Sequence, residues 1–157
     1  MKFDKYQMLK EHALAMCVAE GKPLPPTRQL HPIVLAYIGD VVFSMYTRLR
    51  LVPTSTKVQV LHDIDAKMVS AVMQCKAMQV LEQELTEEEM RAYHRGRNAK
   101  SSVPKSASVA QYRIATGFEA LMGYLFLEDQ EERLEYMLDK SFAIIAQEML
   151  DVFEKNK

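Results

Sequence analysis

Two apolar segments of this 157-residue sequence each contain a single acidic residue, and these two acids are the first candidates for chemistry. Residues 33–46, IVLAYIGDVVFSMY, carry one charge, Asp40. Burying a carboxylate without a partner costs about 3–5 kcal/mol, so such a residue usually caps, pairs or binds a cation. Three alternatives are open for Asp40: a partly buried acid bonded to a helix end or an Arg, a metal-binding or catalytic acid, and an exposed position at a helix edge.

The second acid, Glu119, is the single charge between residues 114 and 127. Small residues lie three or four positions from each acid, namely Ala36 and Ser44 around Asp40 and Ala115, Thr116 and Gly123 around Glu119. Small side chains let two helices approach closely, and two facing acids repel each other unless a cation lies between them. Oxygen ligands with room for several waters suit Mg²⁺, an ion that activates water and neutralises a phosphodiester. The structural alternative is that Glu119 pairs with Arg113 or another Arg.

Basic residues are concentrated in one part of the chain. Residues 91–118 carry a net charge of +6 with no Asp or Glu, so the other 129 residues together carry −7. The six cations are Arg91, Arg95, Arg97, Lys100, Lys105 and Arg113. A basic segment on an otherwise acidic chain is typical of a protein that binds a polyanion such as a nucleic acid. The alternative is a solvated loop whose charges are matched by the acidic residues of segment 82–89.

Helical periodicity accounts for most of the sequence, which has no Trp and only 5 Gly and 6 Pro residues. It predicts an all-α protein with helices over residues 3–20, 33–51, 63–84, 109–127 and 131–153. Thr54 or Ser55 is expected to cap a further short helix that ends near His62. Thr86 and Glu89 form a capping-box pattern that starts a helix running toward Gly96.

Two segments lack an apolar period and divide the chain. Segment 22–32 contains four prolines and predicts an extended connector, so residues 1–30 form an N-terminal helical extension and residues 31–157 the main domain. Segment 95–108, RGRNAKSSVPKSAS, is predicted to be a loop.

Helix 33–51 is apolar on nearly all sides, which fits either burial against a second copy or a central core helix.

Composition also bears on the compartment. Cys17 and Cys75 show no metal-binding or CxxC spacing, which fits a reducing cytosol. Six charged residues precede Gly21 and exclude a secretory signal. No apolar run approaches the roughly 20 residues that span a bilayer, so we expect a cytoplasmic protein with no membrane partner.

Three blocks of sequence resemble one known family. LAYIGDVVF at 35–43 is similar to the signature helix of ribonuclease III catalytic domains, and TGFEALMGYLFL at 116–127 is similar to their second metal-binding helix. RGRNAKSS at 95–102, with PK at 104–105 and YR at 112–113, resembles Mini-ribonuclease III, the short bacterial form without a separate double-stranded-RNA-binding domain. The match covers about residues 30–128.

The resemblance implies an all-α homodimer that cleaves double-stranded RNA with Mg²⁺, leaving 5′-phosphate and 3′-hydroxyl ends. Asp40 and Glu119 take the places of the catalytic, metal-binding acids, while two further acids of the full-length family fall at Ala36 and Thr116. The implied substrate is the precursor of 23S ribosomal RNA, with a ribosomal protein or pre-ribosomal particle as a further candidate partner. Arg95, Arg97, Asn98, Lys100, Lys105 and Arg113 would bind the duplex, with Ser101 or Ser102 reaching 2′-hydroxyls.

Other readings remain open. A ribosome-associated scaffold of the same fold would bind RNA without cutting it, and a helical nucleotide pyrophosphatase would also use carboxylates around Mg²⁺. A purely structural dimerising domain is the third. Lys67 is either a phosphate partner or a surface lysine, and His94 either a catalytic base or a solvated side chain.

Overall fold

The structure, a computed structural model, describes residues 4–100 and 108–155, and the chain divides into two units, Met1–Leu30 and His31–Lys157. In the first unit, helix α1 spans Asp4–Ala19 and a 3₁₀ turn spans Thr27–Gln29. Gly21 adopts a φ of 72°, and Lys22 donates its backbone N–H to the carbonyl of Cys17 at 2.8 Å. This left-handed glycine cap ends the helix where the sequence predicted a stop.

The second unit consists of helices, and no strand occurs in the described part of the chain. The helices are α2 (Pro32–Leu51), α3 (Val58–Met68), α4 (Ala71–Leu81), α5 (Glu87–Arg97), α6 (Val109–Leu127) and α7 (Glu131–Lys155). Turns of 3₁₀ helix follow α2 and α4 at Val52–Thr54 and Glu82–Glu84. The prediction of an all-α fold is confirmed.

Helix α6 lies at the centre of this unit and packs against α2, α4, α5 and α7. Its side chains Phe118, Leu121, Met122 and Leu125 are fully buried. Phe118 meets Phe43 of α2 edge to face, with ring centroids 5.0 Å apart. A helix surrounded on several sides needs apolar residues around most of its circumference, which explains why Glu119 is the one charge in its inner half.

Helix α2 is long and apolar enough, together with the turn after it, to cross a bilayer by composition. The expectation that no segment reaches that length and composition is therefore wrong. Leu35, Phe43 and Tyr46 are fully buried within the helical unit, as in the core helix of a globular domain. The opposite side of α2 is uncovered in the single chain, where Val34, Tyr37 and Val41 are 44%, 72% and 51% exposed.

The boundary between α3 and α4 differs from the prediction. The chain does not break near His62, because α3 runs on to Met68 and the break falls at Val69 and Ser70. The Ser70 hydroxyl accepts a hydrogen bond from Met73 N and donates one to Lys67 O at 2.7 Å, so it begins α4. Neither Thr54 nor Ser55 caps α3, whose N-cap is Lys57 without a side-chain bond. The capping box of Thr86 and Glu89 is confirmed.

Candidate active site

Helices α2 and α6 touch backbone to backbone beside the two acids. A Cβ atom at Gly39 would lie 1.7 Å from the carbonyl oxygen of Glu119, and one at Gly123 would lie 2.0 Å from that of Leu35. Only glycine fits at both positions, so the helices cross at the closest approach that backbones permit. Gly39 immediately precedes Asp40, and this crossing therefore brings Asp40 to Glu119.

Asp40 is exposed in the single chain, on the uncovered side of α2. Its pKa is raised by partial desolvation, lowered by the charge of Arg48 and raised again by Asp65. Asp40 is therefore not the partly buried acid of the first alternative, and the cost of burying an unpartnered carboxylate does not apply to it. Its neighbourhood is nonetheless charged, since a cation and two further acids influence it.

Glu119 is half-buried on α6. Desolvation raises its pKa to about 7, the negative charge of Asp40 adds to the increase, and Gln74 opposes it. No ion pair joins Glu119 to Arg113 or to any other cation of the described residues, so the structural alternative for this acid is not observed. Two mutually repelling carboxylates, one of them desolvated, form an arrangement that a cation would stabilise.

Two residues near the acids, Asp65 and Gln74, were not identified as site residues from the sequence. Asp65 of α3 is 3% exposed and accepts hydrogen bonds from Thr47 Oγ1 at 2.6 Å and Arg48 Nε at 2.8 Å. It thereby fixes the guanidinium that acts on Asp40. Gln74 of α4 is 1% exposed beside Glu119. A signal for Gln74 was present, because it is an uncharged polar residue inside the apolar run 71–75, whereas α3 carries several polar residues and nothing singles out Asp65.

The two positions that are acidic in the full-length family hold small buried residues. Ala36 and Thr116 are each 5% exposed, one helical turn before Asp40 and Glu119 respectively. Thr116 Oγ1 donates to the backbone carbonyl of Tyr112 at 3.0 Å. Within residues 4–100 and 108–155, no group of three or more His, Cys, Asp or Glu side chains is arranged to hold a metal. A cation at this site would have two carboxylates as its acidic ligands and would keep several waters.

The basic end of α5 is fixed against the same part of α6. A Cβ atom at Gly96 would lie 2.5 Å from Ala120 Cβ and 2.9 Å from the carbonyl oxygen of Thr116. Arg95 and Arg97 flank Gly96 and belong to the last turn of α5, so the prediction that they lie in a loop is wrong. The reason is the packing of Gly96 against α6, which continues the helix through Arg97 into the polar stretch. The backbone between these two arginines is thus held against α6 within one turn of Glu119.

Three more of the predicted RNA-binding residues belong to the described part of the chain. Asn98, Lys100 and Arg113 are exposed, the first two just after α5 and the last in the early turns of α6. Lys105, Ser101 and Ser102 lie outside the described residues. An open groove of about 470 Å³ at this end of α5 is lined by Met90, Arg91, His94, Arg95 and Asn98.

The acidic segment 82–89 forms ion pairs elsewhere. Glu84 pairs with Lys140 and Glu89 pairs with Arg133, both on α7, while Glu88 pairs with Arg91. Arg97, Lys100 and Arg113 form no ion pair with any described residue. The idea that this acidic segment neutralises the basic stretch therefore holds for Arg91, and the other three cations are available to an anion.

Lys67 and His94, for which the sequence left two alternatives each, are both at least partly exposed. Lys67 is exposed, with its ammonium 5.8 Å from the ring centroid of Phe153. His94 is partly exposed at the groove of α5.

Comparison with known proteins covers most of the second unit. The family model of the Ribonuclease III domain matches residues 33–130. Mini-ribonuclease 3 of Enterococcus faecalis is 48% identical over 116 residues, which are 71% of this chain and 88% of that protein. The proteins of the same name from Thermoanaerobacter sp. and Staphylococcus aureus are 44% and 43% identical, and the matches cover 74% of this chain and 83% and 90% of theirs. A crystal structure of a Fusobacterium nucleatum protein is similar with a TM-score of 0.67 and 25% identity, over 71% of this chain and 91% of that one.

Proposed function

Because this chain belongs to the ribonuclease III family, among the Mini-ribonuclease 3 proteins, and is an endoribonuclease of double-stranded RNA, we propose that Asp40 and Glu119 are its catalytic acids. One observation carries the proposal: the glycine contacts of α2 and α6 place these two acids close enough for the charge of Asp40 to raise the pKa of Glu119. The acids come from the two blocks of sequence that resemble the family's signature and metal-binding helices.

We further propose that the pair binds Mg²⁺. The donor set fits this ion, since carboxylate oxygens are hard ligands and the small residues Ala36 and Thr116 leave its remaining positions to water. Bound there, Mg²⁺ would supply an activated water and neutralise charge on the phosphodiester. Glu119, half-buried and fixed on the central helix, would set the position of the ion. Asp40 faces solvent, which is the side from which a duplex must arrive.

The cations near the end of α5 would hold the RNA. Arg97, Lys100 and Arg113 have no ion pair among the described residues, and Gly96 fixes this end of α5 against α6 near Glu119. Lys and Arg bind phosphates, and Asn98 can reach a 2′-hydroxyl across the shallow minor groove of A-form RNA. In this arrangement the phosphate contacts determine which bond of the duplex meets the acids.

Two copies would make the active enzyme. The uncovered side of α2 exposes Val34, Tyr37 and Val41, an apolar strip beside Asp40 that is larger than a single chain needs to leave uncovered. If this strip packs on its copy, the dimer carries two acid pairs related by a two-fold axis. Such a dimer would cut the two strands of a duplex with a stagger.

We propose the base-paired stem of precursor 23S ribosomal RNA as the substrate, with 5′-phosphate and 3′-hydroxyl products, in the cytoplasm and in company with a ribosomal protein or pre-ribosomal particle. The test is cleavage of that stem by the purified protein with Mg²⁺, beside an unrelated duplex of equal length. We expect staggered cuts at one position of the stem, with products that a 5′-phosphate-dependent exonuclease degrades. Equal cutting of both duplexes at many positions would contradict the substrate assignment.

A further inference from the structure

Gln74 is a buried polar residue that the fold itself does not use. Its side chain is 1% exposed, and neither its Nε2 nor its Oε1 has a hydrogen-bond partner among the described residues. No other fully buried side-chain nitrogen or oxygen of residues 4–100 and 108–155 lacks a partner. An unsatisfied buried amide destabilises a fold relative to an apolar side chain of the same size, so a ligand is a physical reason for its presence.

The position of Gln74 indicates which ligand. Helix α4 packs against α6, and the Gln74 carboxamide lies beside the Glu119 carboxylate closely enough to lower its pKa, in an arrangement short of a standard hydrogen bond. An ionised carboxylate only accepts hydrogen bonds, so the NH₂ end of the amide must face Glu119. The carbonyl end, Oε1, then remains as a buried acceptor at the same site.

We propose that Gln74 is a positioning residue of the cleavage site, which donates from Nε2 to the Glu119 carboxylate and accepts at Oε1 a hydrogen bond from a water of the bound cation. This inference rests on the proposed function of Asp40 and Glu119. With Ala36 and Thr116 in place of two acids, waters must occupy more of the ion's coordination shell, and each of them needs an acceptor. Gln74 provides one from the side of α4.

The test compares Gln74→Met with wild type and with Gln79→Met, an exposed glutamine on the same helix as the matched control. Met has a similar length and no hydrogen-bonding amide. Titration of the RNA-free protein with Mn²⁺ and with Mg²⁺ in a calorimeter gives the cation affinity directly. We expect Gln74→Met to bind either ion about tenfold more weakly, the lower end of the loss seen when an outer-shell partner is removed, and Gln79→Met to match wild type.

Two further readouts separate a positioning role from a merely structural one. We expect the metal-free Gln74→Met protein to unfold at or above the wild-type temperature, since the variant removes an unsatisfied amide. Its single-turnover cleavage rate should approach that of wild type when Mg²⁺ is raised about tenfold. Gln74→Leu provides a second variant without the amide, for which the same results are expected.

The outcomes are distinguishable. Wild-type cation affinity in both Gln74 variants, with wild type itself binding the ion and cutting duplex RNA, would overturn the role of Gln74 alone. Failure of the wild-type protein to bind the ion or cut RNA would instead overturn the proposed function. Unfolding of both variants below the wild-type temperature without cation would show that the amide stabilises the fold itself, contrary to the proposal.

Discussion

Asp40 and Glu119 lie in different surroundings although they act on one another. Asp40 is exposed beside Arg48, while Glu119 is half-buried with its pKa near 7. The difference implies a division of roles at the level of the residue. In the proposed site, protonation of Glu119 would decide whether the pair carries one or two negative charges near neutral pH. Asp40 would be the acid on the side from which a substrate phosphate arrives.

Cation binding should therefore depend on pH in the neutral range. The raised pKa of Glu119, about 7, means that a proton competes with the ion below that pH. We expect the dissociation constant for Mg²⁺ to be about tenfold larger at pH 6 than at pH 8, measured by calorimetry without RNA. The Glu119→Gln control should bind weakly at both pH values. An affinity for wild type that is unchanged between pH 6 and 8 would contradict the placement of Glu119 at the ion.

The same pKa shift has a consequence for stability. Because the folded-state pKa of Glu119 lies above its unfolded value of about 4.5, the metal-free protein loses stability as pH rises toward and through 7. Glu119→Gln removes this dependence. We expect the melting temperature of the metal-free variant to exceed that of wild type at pH 8 and the two to converge near pH 4.5, as measured by calorimetric unfolding.

Thr116 offers a test of what surrounds the ion. It is buried one turn before Glu119, at a position that is acidic in the full-length family. If Thr116 faces the ion, Thr116→Asp adds a carboxylate ligand and should tighten Mg²⁺ binding by about tenfold. Thr116→Asn is the control, because Asn has the shape of Asp without its charge, and it should not tighten binding. An unchanged requirement for Mg²⁺ in the cleavage assay would show that Thr116 does not face the ion.

At the scale of elements, glycines determine how the site is assembled. Gly39 and Gly123 let α2 and α6 touch, and Gly96 lets the end of α5 reach α6 near Glu119. The central helix thus receives the second acid on one side and the basic residues on another. Side chains larger than hydrogen at these crossings would separate the groups that the proposed function places at one phosphodiester.

Gly39→Ala tests this assembly because its expected effect on the free energy of unfolding is opposite in sign to the effect of helix propensity alone. In an uncrowded helix interior the change from Gly to Ala stabilises by about 1 kcal/mol. Here the new Cβ would lie 1.7 Å from a backbone carbonyl oxygen, so we expect a loss of about 3 kcal/mol in the free energy of unfolding and loss of cleavage. Denaturant unfolding measures it, and any stabilisation would mean that α2 and α6 do not meet at Gly39.

Helix type and extent followed from sequence where the local signals were strong. The capping box at Thr86 and the largely apolar segment of α6 predicted their elements within a residue or two. The boundary at Ser70 was missed because a single serine inside an apolar period resembles an interior residue until its hydroxyl is seen to cap α4. Arg95 and Arg97 were assigned to a loop because polarity was taken as the end of α5, while Gly96 packing continues the helix.

The candidate site was predictable only in part. Asp40 and Glu119 stand out as single charges in apolar helices, so sequence could identify them. Gln74 stands out as a polar residue inside the apolar run 71–75, whereas Asp65 carries no such signal. The positions of both residues near the acids come from the packing of α3 and α4, and such tertiary proximity leaves no mark in local spacing. The exposure of Asp40 was left open among the alternatives for a related reason, since an apolar sequence does not reveal which side of a helix its own chain covers.

At the scale of the whole molecule, the uncovered strip of α2 is the feature that a single chain leaves unexplained. Val34, Tyr37 and Val41 lie beside Asp40, and a two-fold contact through them would join two acid sites in one particle. Residues 1–30 form a separate unit that the domain match does not include.

A charge in the centre of this strip should therefore separate the copies. We expect the wild-type protein to sediment as a dimer and Tyr37→Asp to raise the dimer dissociation constant at least about 100-fold, since a charged group cannot be buried there without a partner. Leu150→Asp, at an exposed apolar position on α7, is the matched control and should remain dimeric. Sedimentation equilibrium distinguishes the cases, and a monomeric wild type would refute the proposed dimer.

The most direct test of the central claim is end-labelled cleavage of a 23S precursor stem by wild type, Asp40→Asn and Glu119→Gln, each with Mg²⁺ and with EDTA, alongside RNA binding by all three. The proposed function predicts staggered, Mg²⁺-dependent cuts by wild type, at least about a 1,000-fold loss of rate in each variant, and RNA binding within a few-fold of wild type. Binding without cutting in every lane would contradict it, because the protein would then be a scaffold for this RNA. Cutting by either variant at the wild-type rate would show that the two acids are not the catalytic pair.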